Sequence, residues 1–172
     1  TKFLSLKKNE QGENVTLSLN NEDLMICDGE GTGLCVAGVI GSPTSGVSDD
    51  TTTIFLESAH FHPMTTRRSG TRHNTRTDSS KIFEKGSDPN ICAYALKRAA
   101  LLIQALAGGQ VSSELIDIYP KPIEKSRIEV FYDNITRLIG EAIPKEKLAE
   151  ILAALEIEMI NPQGKSFIAV VP

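Results

Sequence analysis

The chain has 172 residues, 40% hydrophobic and 23% charged, with 18 Lys+Arg against 22 Asp+Glu for a formal net charge of -4. That length buries one full core and leaves room for a second, smaller one, and the composition excludes disordered, collagen-like and coiled-coil classes. No apolar run approaches the roughly 20 residues of a bilayer span, and Thr1-Lys2-Phe3-Leu4-Ser5-Leu6-Lys7-Lys8 lacks the apolar stretch of a signal peptide, so a soluble, cytoplasmic protein with no membrane partner is expected.

From the N-terminus the pattern is strand and turn. Val15-Thr16-Leu17-Ser18-Leu19, Leu24-Met25-Ile26-Cys27-Asp28 and Leu34-Cys35-Val36-Ala37-Gly38-Val39-Ile40 are separated by polar breakers. The last two runs, joined by Gly29-Glu30-Gly31-Thr32-Gly33, predict a buried β-hairpin. These glycines do not read as a phosphate loop, because Leu34 stands where a dinucleotide fingerprint needs its third glycine and a strand follows instead of a helix. After a Ser/Pro/Gly loop, Ile54-Phe55-Leu56-Glu57-Ser58-Ala59 is a further strand-like apolar run with one acid inside it. Residues 65–80, rich in Thr, Ser, Arg and Gly and poor in apolar periodicity, predict an exposed irregular segment. From Arg67 to Lys85 six bases face two acids. Ser80 is the expected cap of a short helix starting at Lys81.

Asp88-Pro89 starts a long helix, with Ala93, Leu96, Ala99, Ala100, Ile103 and Leu106 predicting packing over much of its circumference until Gly108-Gly109 ends it. The stretch from Glu114 to Glu124, with Pro120 and Pro122, reads as a linker. Beyond it come a strand over 127–131, a short helix capped by Asp133 and closed by Gly140, a helix from about Lys145 to Leu155, and a strand pair around Asn161-Pro162-Gln163-Gly164. Helices followed by a hairpin suggest a small winged-helix-like unit, whose seven bases and eight acids over 118–172 do not favour DNA. Both ends of the chain fall in strand-like runs, which reads as a piece of a longer protein.

Cys27, Cys35 and Cys92 are odd in number and lack metal or disulfide spacing, so reduced and mostly buried thiols are expected. Glu57, His60 and His62 make a weak metal constellation, because in a strand Glu57 and His60 point to opposite faces and no further ligand is evident; no metal site is assigned. Glu57 itself has two readings: a strand residue on a solvated face, or a pocket acid accepting a hydrogen bond from a ligand hydroxyl, since an unpaired buried charge is costly. The bases Arg67, Arg68, Arg72 and Arg76 are either solvated or RNA contacts, Arg and Thr together being what phosphate and ribose contacts require.

Taken together, Asp23-Leu24-Met25-Ile26-Cys27-Asp28, Ala37-Gly38-Val39-Ile40-Gly41, Ser45-Gly46-Val47, the block from Thr51 through Glu57 to Pro63, and Thr77-Asp78-Ser79-Ser80 on to Phe83-Glu84-Lys85-Gly86 and Asp88-Pro89 closely resemble the β subunit of bacterial phenylalanyl-tRNA synthetases. The blocks fall in that family's B3/B4 editing region. Ile128 to Phe131, Ile135 to Gly140 and Ile151 to Leu155 resemble the start of its B5 domain. Departures are Ser42 in place of a second glycine, Gly70-Thr71 and Asn74-Thr75 in the Arg-rich stretch, and Leu155-Glu156-Ile157.

The resemblance implies an α+β chain. A β-rich, mixed layered B3/B4-type core with one long helix occupies residues 1–117, and a truncated winged-helix-like B5-type unit occupies 118–172. It implies editing, the hydrolysis of tyrosine wrongly esterified to tRNA(Phe). Glu57 would accept the phenolic hydrogen bond, the Gly41 backbone would add to that recognition, and Thr77 and Ser79 would line the pocket near the ester. An Arg and a His of the family's pocket lie in chain preceding Thr1, so no complete catalytic set is expected here. ATP, Mg2+ and an α subunit in an α2β2 assembly belong to the parent enzyme, and none of its cofactors to this fragment. The alternative is a non-catalytic tRNA-positioning or protein-interaction module, in which the basic stretch matters and Glu57 does not.

Overall fold

Alternation with period two organises the first strand: Phe3 and Ser5 are buried while Lys2, Leu4 and Leu6 face out, over β1 (Lys2–Lys8). It pairs antiparallel with β2 (Asn14–Ser18), Phe3 opposite Leu17. The computed structural model describes all 172 residues, divided into two units, Thr1–Asp117 and Ile118–Pro172.

In the first unit β3 (Met25–Cys27), β4 (Gly33–Val36) and β5 (Ile40–Gly41) form a second antiparallel sheet in that order. The Gly-rich segment is a hairpin turn, as predicted: the Asp28 carboxylate accepts from the amides of Glu30 at 3.0 Å and Thr32 at 2.8 Å. Phe3, Leu17, Val36 and Val39 make the buried core, with Val15, Leu19, Met25 and Ile40 packed against it.

Residues 43–62 form no helix or strand, so the strand predicted over Ile54–Ala59 does not exist. The run has no hydrogen-bonding strand beside it, and Phe55 is 94% exposed. The predicted irregular segment is also corrected, because it contains two helices, α1 (Pro63–Arg72) and α2 (Asp78–Phe83). Pro63 sits in the first turn of α1, where its missing N–H costs nothing. The buried face of this helix is carried by Thr66, Ser69 and, just past its end, His73. These fall at helical spacing but are polar, so a search for apolar periodicity cannot see them. Helix α2 starts earlier than expected, capped by Thr77 in a reciprocal box with Ser80.

Asp88 caps a single 3-10 turn, Pro89–Ile91, through the Asn90 amide at 2.9 Å, and α3 (Cys92–Ala107) continues from it to Gly108. Helix α3 has no buried residue, against the expectation of packing around it. Leu101 and Leu106 are 60% and 86% exposed. The thiol expectation is corrected too: all three cysteines are free, but Cys27 is exposed and Cys35 and Cys92 are only half-buried.

The second unit runs β6 (Ser126–Phe131), α4 (Tyr132–Ile139), α5 (Lys145–Ala154), β7 (Glu158–Ile160) and β8 (Ser166–Val171). Its sheet is antiparallel with β8 in the middle, between β6 and β7. Leu148 of α5 packs on Phe167 and Ala169 of β8, joined by Val130, Ile135, Leu152 and Met159. Asp133 lies inside the first turn of α4 and does not cap it, the capping position being Phe131. Gly140 closes α4 in the left-handed conformation, at φ 89°. The chain is thus a mixed α+β protein of small antiparallel sheets and short helices, and no helix is long and apolar enough to cross a membrane.

Candidate functional site

Between β4 and β5 the chain turns through Ala37, Gly38 and Val39, all buried. Gly38 has φ +67°, and a Cβ there would lie 2.9 Å from Phe61 and 3.2 Å from Phe83 and the Thr66 hydroxyl. Only glycine fits so close a seat. Phe61 and Phe83 themselves pack edge to face, centroids 4.9 Å apart.

The turn is also where Thr77 and Ser79 attach. The Thr77 hydroxyl donates to the Val39 carbonyl at 2.7 Å while accepting from the Ser80 amide at 3.1 Å, and the Ser79 hydroxyl donates to the Gly38 carbonyl at 3.2 Å. Two residues on, Gly41 pairs with Cys35 across β4 and β5. A Cβ on Gly41 would meet only Leu6, at an ordinary 3.6 Å, so its lack of a side chain keeps space open instead of relieving a clash.

Glu57 stands near the same strand pair. Burial pushes the Cys35 thiol up, and the nearby Glu57 carboxylate pushes it further in the same direction. Neighbouring protein atoms raise the Glu57 carboxyl as well, although the residue as a whole is exposed. Glu57 enters none of the chain's ion pairs, so its oxygens are free to accept from a ligand. The 38–41 backbone thus joins Gly41 to Thr77 and Ser79, whereas Glu57 reaches this strand pair only through its charge on Cys35.

The four arginines separate. Arg67 and Arg76 line a polar cavity between α1 and α2. Arg68 is exposed elsewhere on α1. Arg72 is held by Glu22 and by Asp23, the latter at 2.7 Å. Of the two other histidines singled out with Glu57, His60 contacts the Ser87 hydroxyl at 3.2 Å, and His62 is the residue preceding α1.

The Asp23 cluster escaped the reading of single residues. Its carboxylate has no accessible surface and takes hydrogen bonds from the Asn20 amide at 2.9 Å, Ser69 at 2.7 Å and His73 at 3.0 Å. Burial alone would raise its pKa, but the hydrogen bonds from Asn20, Ser69 and His73 outweigh it and hold the carboxyl at about 2. The available signal was a polar residue pattern at positions 66, 69 and 73, legible only once α1 is known to be a helix.

Comparison with known proteins gives the family. Residues 4–108 match the B3/4 domain family. The chain is 41% identical over 160 residues to the phenylalanine–tRNA ligase beta subunit of Bacteroides fragilis, covering 93% of this chain and 19% of that protein. Against the corresponding subunit of Porphyromonas gingivalis it is 44% identical over 147 residues, 86% of this chain and 18% of the relative. Against that of Bdellovibrio bacteriovorus it is 36% identical over 171 residues, 99% and 20% respectively. Residues 4–108 thus form a B3/4 domain. The chain belongs to the phenylalanine–tRNA ligase beta-subunit family, and it spans about a fifth of the length of these relatives.

Proposed function

We propose that this chain forms part of a site that recognises tyrosine wrongly esterified to tRNA(Phe) and presents the ester for hydrolysis. The observation that carries the reading is the neighbourhood of Glu57: an exposed carboxylate without an ion pair, whose charge acts on Cys35 in the strand pair whose turn holds the Thr77 and Ser79 hydroxyls. The chemical need is general. An apolar pocket cannot strongly reject an analogue that only adds a hydroxyl, whereas a pocket built to bond that hydroxyl discriminates far better. Glu57 would accept the phenolic hydrogen bond and Gly41 would leave room for the ring. Thr77 and Ser79 donate to backbone carbonyls, so their part is to hold the 38–41 turn in place beside the ester and not to attack it. Glu57 acts as a specificity residue, and water attack depends on positioning.

On this reading the chain works within a longer cytoplasmic beta subunit, with an α subunit and tRNA as partners, and residues 118–172 are a B5-type, winged-helix-like unit. ATP and Mg2+ serve the parent's ligase chemistry. No step of this reading is routed through either group. The test is Glu57→Ala in the full-length subunit assembled with its partner. Tyrosyl-tRNA(Phe) accumulates in the variant and not in the parent, and equal accumulation in both would overturn the role of Glu57.

A further inference from the structure

The cavity between α1 and α2 has a volume of about 490 Å³ and a predominantly cationic wall. Arg67 projects to it from α1, Arg76 from the segment before α2, and Lys85 from just beyond α2. The one acid on the wall, Glu84, is bound to Arg76 at 3.2 Å. A guanidinium carries five donors, and the Arg76 side chain is 77% exposed, so most of its fork stays unspent. Arg67 and Lys85 take part in no ion pair.

The rest of the lining is shaped by the backbone. Thr75 returns its amide to the Gly70 carbonyl at 2.8 Å through Asn74, which adopts φ +44°. A Cβ on Gly70 would sit 3.2 Å from the Thr75 carbonyl oxygen, so the small residue lets the return run close to α1. Lys7 ties the same return down by donating to the carbonyls of His73 at 3.0 Å and Asn74 at 2.8 Å. The hydroxyls of Thr75 and Ser80 are committed to the backbone carbonyls of His73 and Thr77. They shape the cavity and leave anion binding to the cations.

Arg76 immediately precedes Thr77, and Ser80 lies on the cavity wall within the first turn of α2. The cationic cavity and the 38–41 turn therefore share that helical turn as their boundary. We propose that the cavity holds a backbone phosphate of single-stranded RNA, through Arg67, Arg76 and Lys85. This rests on the reading above, because an ester seated beside Thr77 and Ser79 carries the phosphates of its own strand alongside α2.

The experiment titrates the 172-residue chain with a short fluorescent single-stranded oligoribonucleotide over a series of salt concentrations. Each phosphate contact on a single strand contributes about -0.7 to the slope of log K against log salt. Arg67→Gln/Lys85→Gln is therefore expected to make the slope shallower by about 0.7, the share of the one phosphate the cavity holds. Arg68→Gln, outside the cavity, leaves the slope unchanged, and Arg67→Lys/Lys85→Arg, which keeps both charges, retains it. Inorganic phosphate competes with the oligonucleotide for the parent chain. An unaltered slope in the double Gln variant, or an equal change with Arg68→Gln, would overturn the proposal by showing that binding follows net charge and not the cavity. Glu57→Ala separates the two readings. If it leaves tyrosyl-tRNA levels unchanged while the double Gln variant alters the slope, the editing reading falls and the phosphate site stands.

Discussion

Asp23 shows how one residue can join distant parts of a chain. It follows β2 in sequence, yet its carboxylate receives Ser69, Arg72 and His73 from α1 and its end, nearly 50 positions away. The group is fully covered while lying only a thin layer below the surface, and its pKa is lowered from 3.8 to about 2. A depressed carboxyl stabilises the fold above its unfolded value, and that contribution disappears as the pH falls through the folded value. The shift corresponds to at most about 2 kcal/mol, present above roughly pH 4 and lost towards about pH 2. Asp23→Asn should thus lower the denaturant midpoint at neutral pH, and the gap to the parent should narrow as the pH drops through that window. A gap independent of pH would show that the carboxylate's charge is not what stabilises the contact. Asp23 was legible in the sequence only as part of a family block. Its role was not, because nothing near it in the chain announces a partner so far along.

At the scale of elements, the hairpin and helices α3, α4 and α5 were marked in the sequence, whereas α1 and the caps of α2 and α4 were not. The hairpin from Met25 to Val36 followed from apolar runs around a glycine-rich turn, and α3 from Asp88-Pro89 and the Ala/Leu repeat. Helix α1 was hidden because its buried positions are Thr66 and Ser69, side chains whose polarity looks like a loop. The run Ile54–Ala59 made the opposite error: it has strand composition but no strand to pair with. The turn at Gly38 couples the sheet to both helices, since Thr66 of α1 and Phe83 of α2 crowd it. Gly38→Ala combines a left-handed backbone, about 1–2 kcal/mol, with an overpacked contact, about 1–3 kcal/mol. A loss of about 2 kcal/mol or more in denaturant unfolding is expected, and a change below about 0.5 kcal/mol, the range of ordinary surface substitutions, would mean the turn is not so tightly seated. The legibility of the candidate site follows the same division. Gly41, Glu57, Thr77 and Ser79 could be named from the family resemblance, but the attachment of Thr77 and Ser79 to the backbone of Val39 and Gly38 could not, because it runs through main-chain carbonyls that no side-chain pattern encodes.

Across the whole molecule, apolar surface is distributed unevenly. A groove of about 540 Å³ runs between α3, the Ile54–Leu56 run and residues 110–116, and Phe55, Leu101, Val111 and Ile116 all stay largely exposed around it. An uncovered patch of that kind binds hydrophobic dyes. The chain should enhance the fluorescence of such a dye while fully folded, and Leu101→Lys should reduce the signal with stability unchanged within about 0.5 kcal/mol, because an exposed side chain gives up little on replacement. Unchanged dye binding would place the apolar surface elsewhere. Charge is uneven too: the chain as a whole is at -4, but the bases of α1 and α2 serve different ends. What the sequence determined by itself was local: period-two strands, the Asp-Pro start of α3, the glycine stops, and the family blocks. The tertiary structure decided which of the clustered arginines are spent and which are free. Arg72 is neutralised by Glu22 and Asp23, while Arg67 and Arg76 face a cavity. The physical reason is that a charge's availability depends on its nearest opposite charge in space, and here that neighbour lies about 50 residues away along the chain.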